Sequence, residues 1–96
     1  MPSTTRVSMP THVLMRDIGG ESVILNLNSE RYLGLDDVGT RMLAVLRTSE
    51  SIQKAYEILL DEYDVDGELL RSDLHHLIEK LLEHGLVELS ERGESP

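Results

Sequence analysis

The chain has 96 residues, 40% of them apolar and 28% charged, with a formal net charge of −9 at pH 7. That length holds one modest core, and the absence of cysteine excludes disulfides and thiolate chemistry. Three tyrosines are the only aromatics and residues 49–96 carry thirteen acidic side chains against four basic ones, so a base-stacking platform is missing and a nucleic-acid backbone meets repulsion there.

Residues 1–10, MPSTTRVSMP, contain no apolar run resembling a signal-peptide core and read as a flexible N-terminal segment. No later window approaches a membrane span, so a soluble cytoplasmic protein with no membrane partner is expected. The stretch THVLMRD, Thr11 to Asp17, reads as a first strand, and Gly19-Gly20 supplies the positive φ of a hairpin turn. In SVILNLN, Val23, Leu25 and Leu27 alternate with Ile24 and Asn26, the pattern of a strand with one face better buried. Asn28 to Arg31 is turn chemistry, and Tyr32 to Leu35 returns as a third strand.

Asp36-Asp37 then offers an N-cap carboxylate for a helix in which Val38, Met42, Val45 and Leu46 recur at helical spacing. Ser49-Glu50-Ser51 reads as the N-cap region of a second helix with Ile52, Ala55, Tyr56, Leu59 and Leu60 near one face. Asp64 to Gly67 breaks it, and a third helix runs from Glu68 to His84, ahead of Gly85 at the C′ position. LVEL suits a short closing strand, and residues 90–96 read as a disordered tail. The expected fold is α+β, a three-stranded antiparallel sheet followed by three helices, in one domain over residues 11–89.

On a helical projection Leu77, Leu70, Leu81, Leu74, Ile78 and Leu82 follow one another across an arc of roughly 140°, wider than the stripe a surface helix needs. One edge of that arc is free to face something other than the core.

Candidate chemistry is sparse. His75 and His76 are adjacent and point about 100° apart on a helix, while His12 and His84 have no partner at ligand spacing. Glu62, Asp64, Asp66, Gly67, Leu69 and Asp73 fall at calcium-loop positions, but Glu62 replaces the usual Asp and Asp73 the bidentate Glu. The leucines at 69, 70 and 74 indicate that a helix has already begun, which favours an acidic interhelical turn. No metal or cofactor is expected. The serines fall in turns, caps or tails without a base partner, so no catalytic residue is assigned and the chain is not expected to be an enzyme.

Binding remains. If the strands pair in sequence order, the third is an edge whose free N–H and C=O groups accept another chain by strand addition, and Gly34 lets a second backbone approach. The alternative is that this edge is short enough to be harmless and Gly34 only relieves crowding before the helix. The wide apolar arc of the third helix favours binding, because strand addition needs pockets for the incoming side chains.

The segments ESVILNLNSERYLGLDDVGTRMLAVL, EYDVD and HGLVEL together resemble the PqqD-like family of leader-peptide recognition elements in the biosynthesis of ribosomally made, modified peptides. RYLGLDDVGTRML is similar to the stand-alone members of lasso-peptide pathways. The resemblance covers roughly Thr11 to Leu89. One departure is Leu43, where lasso-type members often carry tryptophan.

The resemblance implies a winged helix-turn-helix-like fold in which a precursor's leader adds as a strand beside the third strand. Its side chains enter a groove shared with the third helix. In lasso pathways the leader commonly carries a Tyr-x-x-Pro element and is presented to a separate leader peptidase. Carried over by position, Arg31, Tyr32, Leu33, Gly34 and Leu35 supply the edge, with Leu33 and Leu35 on one face toward the groove and core. Leu70, Leu74, Leu77, Ile78 and Leu81 come from the third helix, and Asp73 at the rim is available to a basic leader residue.

The expected partners are therefore a precursor leader peptide and a leader peptidase, with a homodimer through the same edge as a further expectation. A winged-helix DNA-binding regulator is the alternative. It is disfavoured because residues 68–84 set Arg71 and Lys80 against Glu68, Asp73, Glu79 and Glu83, and no nucleic-acid partner is expected.

Overall fold

The computed structural model describes residues 4–91. In chain order the elements are β1 (Thr5–Ser8), β2 (Val13–Ile18), β3 (Glu21–Asn26), β4 (Tyr32–Leu35), α1 (Asp37–Thr48), α2 (Ile52–Glu62), α3 (Gly67–Glu83) and β5 (Glu88–Glu91). The fold is α+β and winged helix-turn-helix-like. Its antiparallel sheet has the order β2-β3-β4, and the three helices follow it.

Local chemistry accounts for the boundaries. Gly19 and Gly20 turn the chain between β2 and β3 with φ of 63° and 95°, backbone that side chains resist. Asp36 caps α1 by accepting from the Gly39 N–H at 2.8 Å, and Ser51 caps α2 by accepting from Lys54 N–H at 3.1 Å. Asp66 caps α3, accepting from Glu68 N–H at 3.3 Å. Gly85, with φ 67°, ends α3, and the Leu86 N–H reaches back to the Leu81 carbonyl at 2.9 Å.

Two corrections concern the ends of the chain. The segment expected to be flexible contains β1, which pairs antiparallel with β5 in a second, two-stranded sheet. Val7 pairs with Leu89 and is 1% exposed, so burial of one valine side chain anchors a stretch whose local sequence is otherwise polar. A tail is expected from residue 90, but Ser90 and Glu91 belong to β5. Residues 1–3 and 92–96 lie outside the described residues.

The core gathers Ile24 from the sheet, Leu43 and Leu46 from α1, Ile52 and Leu59 from α2, Leu74, Ile78 and Leu81 from α3, and Leu86 beyond it. Leu43 is fully buried, so the position where tryptophan is common among lasso-type members is a core position here. Along β3 the buried face is Ser22, Ile24 and Asn26, while Val23 stays exposed on the other side. Two polar side chains therefore enter the interior, and each finds a partner there. Ser22 Oγ and Thr40 Oγ1 lie 2.7 Å apart.

Asn26 makes the larger set of contacts. Its Nδ2 donates to the Gly85 carbonyl at 2.8 Å, and its Oδ1 accepts from the N–H groups of Asn28 and Ser29 at 2.9 and 3.1 Å. One side chain thus shapes the β3–β4 turn and ties it to the end of α3. Asn26→Ala removes all three bonds and with them the link between the turn and the end of α3. The expected result is a loss of about 2 kcal/mol in urea unfolding, and a loss below about 0.5 kcal/mol would show that water replaces the clamp.

The segment with calcium-loop spacing is otherwise engaged. Glu62 accepts two hydrogen bonds from the Arg41 guanidinium at 2.7 and 2.8 Å, which hold its carboxyl below the usual range. Asp66 is the α3 cap, and Asp73 lies within α3 itself.

Candidate functional site

β4 is an edge of its sheet, paired with β3 alone among the described strands. Its register sets Ile24 opposite Leu33 and Ser22 opposite Leu35. Which backbone groups are free follows from the ladder. The Asn26 N–H donates to the Arg31 carbonyl at 2.8 Å, and on the other side of β3 the Leu27 N–H donates to the His12 carbonyl at 2.9 Å. Hydrogen-bonded pairs alternate along an antiparallel ladder. The N–H and C=O groups of Leu33 and Leu35 therefore turn toward β3, and those of Tyr32 and Gly34 turn away from it, to the open side.

The space beyond this edge is clear. A Cβ built on Gly34 meets nothing within 4 Å, so the glycine is not required by packing in the free chain. Tyr32 is 67% exposed.

Beside the edge lies a groove of about 560 Å³. One bank is formed by Leu33, Gly34 and Leu35 of β4 together with Asp36, Val38, Gly39 and Met42 at the start of α1. The other is the stripe Asp73, His76, Leu77 and Lys80 of α3, spaced i, i+3, i+4 and i+7 so that one helix face presents all four. Leu33, Leu35 and Leu77 pack partly against the core and partly line the groove. The abrupt strand-to-helix junction at Asp36 brings the start of α1 to the edge, because the capping residue follows β4 directly.

The structure thus divides the candidate residues. Leu33, Gly34, Leu35, Asp73 and Leu77 line the groove. Leu70, Leu74, Ile78 and Leu81 are between 0 and 3% exposed and belong to the core of the free chain. Tyr32 offers its backbone to the open edge while its side chain is on the opposite face of the sheet from Leu33 and Leu35. Arg31 lies just before β4, where its Nη1 donates to the Glu83 carbonyl at 3.3 Å.

Asp36, Val38, Gly39, Met42, His76 and Lys80 also line the groove and were not among the expected residues. Part of this was readable. His76 and Lys80 share a helical stripe with Asp73 and Leu77, and Val38 with Met42 is an i, i+4 pair whose first member is 42% exposed. That these two stripes face one another depends on how α1 and α3 pack, which no local pattern specifies.

Residues 21–87 match the family model of PqqD, coenzyme PQQ synthesis protein D. Among solved structures, TbiB1 in complex with the TbiA(beta) leader peptide is similar with a TM-score of 0.76 and 27% sequence identity, covering 93% of this chain and 99% of that chain. Lasso peptide synthetase B1 complexed with the leader peptide is similar with a TM-score of 0.76 and 20% identity, covering 86% and 98%, and at that identity the likeness shows the fold. No curated protein matches the chain significantly.

Proposed function

The chain belongs to the PqqD family, and from that premise we propose that it is a non-catalytic recognition element that captures the leader of a ribosomal precursor peptide by strand addition to β4. The observation that carries this reading is the outward-facing backbone of Tyr32 and Gly34 beside the apolar part of the groove. An incoming strand gains main-chain hydrogen bonds from the edge, and its alternate side chains reach Leu33, Leu35, Met42 and Leu77. The 27% identity to a protein whose structure is of a leader complex supports the same ligand class.

In this reading the bond chemistry belongs to a separate leader peptidase of a lasso-peptide pathway. The adaptor raises the effective concentration of the precursor at that enzyme. The working site is the cytoplasm, where the precursor is translated; no helix among the described residues is long and apolar enough to cross a membrane. A second copy of the chain competes for the same edge, because a free strand accepts any backbone of matching register.

The test is a fluorescence-anisotropy titration of the labelled leader encoded beside this chain's gene, alongside a labelled DNA duplex at physiological salt. Saturable binding of the leader with a flat response to the duplex is the expected result. Salt-sensitive binding of the duplex with no response to the leader would replace the proposal by a DNA-binding winged helix.

A further inference from the structure

We propose that the groove is electrostatically polarised and, for a strand that adds antiparallel to β4, selects an extended peptide whose basic residue precedes its acidic residue. This inference rests on the strand-addition reading and goes beyond it by specifying the ligand's charge order.

The direction of α3 relative to β4 is the starting point. Arg31, at the entrance to β4, donates to the carbonyl of Glu83 at the end of α3, and Asn26 opposite it reaches Gly85. The two banks of the groove therefore run antiparallel, and Asp73, in the first half of α3, lies toward the Leu35 end. Asp36 is in the groove lining at that same end, with Asp37 next to it. Lys80 lies two helical turns further on, toward the Arg31 end. Within the lining the two carboxylates thus stand where β4 stops and Lys80 toward where it starts, while Arg31, Glu30 and Glu83 border that second end outside the lining.

Partial charges from the helices do not cancel this pattern. The N-terminus of α1 carries about half a positive charge, against two full negative charges on Asp36 and Asp37. At the opposite end about half a negative charge at the α3 C-terminus, and the Glu83 side chain outside the groove lining, oppose Lys80 and Arg31. Both acidic lining residues are exposed, and so is Lys80, and each has charge to offer a ligand. Asp36 uses one oxygen for its cap, and no hydrogen bond or ion pair occupies the Asp73 carboxylate or the Lys80 ammonium among the described residues.

Antiparallel pairing is the more stable ladder per residue, and a strand that pairs in this way with β4 enters at the Leu35 end and leaves at the Arg31 end. Its earlier residues then meet Asp36 and Asp73 and its later ones meet Lys80. Seven helical residues span about 10 Å, or roughly three residues of strand at about 3.4 Å each. With side-chain reach, a Lys or Arg at position n and a Glu or Asp at n+4, both on the groove-facing side, match the two ends.

The experiment uses three labelled decapeptides that share one alternating Leu/Thr framework. One carries glutamine at both marked positions, one has Lys four residues before Glu, and one has the same residues exchanged. The expected result is that Lys-before-Glu binds about three- to tenfold more tightly than its isomer, the range open to two exposed charge contacts. The neutral peptide falls between them, and the gap narrows in 0.5 M salt. The chain carrying Asp73→Lys and Lys80→Asp is expected to invert the preference.

Equal binding of the two isomers, or a preference that the double substitution leaves unchanged, overturns the polarity while leaving strand capture intact. Failure of all three peptides to bind also overturns it, and the leader titration judges strand capture separately.

Discussion

Leu77→Glu is expected to weaken leader capture by at least about thirtyfold in a chain that still folds, whereas Leu74→Glu, nearly one turn earlier, is expected to prevent folding; roughly 2 kcal/mol of lost binding energy corresponds to the first figure. Both residues lie on the apolar arc of α3, but they face different surroundings. Leu77 packs partly against the core and lines the groove, so a glutamate there can turn its carboxylate into water in the free chain. A bound peptide would cover that charge, and the substitution also deprives it of an apolar contact.

Leu74 is 1% exposed. Its loss costs about 2–5 kcal/mol by truncation alone. Burying an unpaired carboxylate adds enough to exceed the roughly 5–10 kcal/mol that holds a domain of this size together. Circular dichroism on both variants and anisotropy on the folded one separate these effects. A folded Leu77→Glu chain that binds leader with unchanged affinity would remove the groove from the mechanism.

The second large effect is expected at the edge. Gly34→Pro deletes an N–H that points away from β3, so the sheet keeps its bonds and the chain folds, as proline is tolerated on the open side of an edge strand. An added strand loses that donor and meets the pyrrolidine ring, and affinity is expected to fall about tenfold or more. Two neighbouring substitutions make the result specific. Gly34→Ala retains the N–H, and its Cβ has nothing within 4 Å, so the free chain should be as stable as the parent. Leu33→Pro removes an N–H turned toward β3 and should instead lower stability, since Leu33 lies opposite Ile24 in the ladder. Full affinity in a folded Gly34→Pro chain would falsify strand addition at β4.

Much of the architecture was legible because short-range chemistry dictates it. The caps at Asp36 and Ser51, the turn glycines at 19 and 20 and the glycine after α3 are decided by groups within four residues of one another. The alternation from Ser22 and the brief Tyr32–Leu35 run similarly give the order of the antiparallel strands, and with it the edge. The width of the apolar arc on α3 announced that one border faces something besides the core, and Leu77 occupies that border.

Other features depend on partners far along the chain. β1 exists because β5 returns beside it more than eighty residues later, and Val7 is buried where this pair packs on α1 and α2. On β3 the sequence offers Val23 and Leu25 as the more apolar face, yet Ser22, Ile24 and Asn26 face inward. Thr40 and Gly85 supply the hydrogen bonds that make two inward polar residues affordable. The same holds for the site. Local pattern placed Leu70, Leu74, Leu77, Ile78 and Leu81 together on one arc, and burial then assigned four of them to the core and one to the groove.

The sequence by itself therefore determined the elements from β2 to α3, their order and the presence of an open edge, since these arise from caps, turns and periodicity within a few residues. Only the tertiary structure decided that Asp36, Met42 and Lys80 stand around that edge with Leu33 and Leu77. Their meeting is set by the packing of α1 and α3 about a shared core, and that geometry is the sum of many distant contacts.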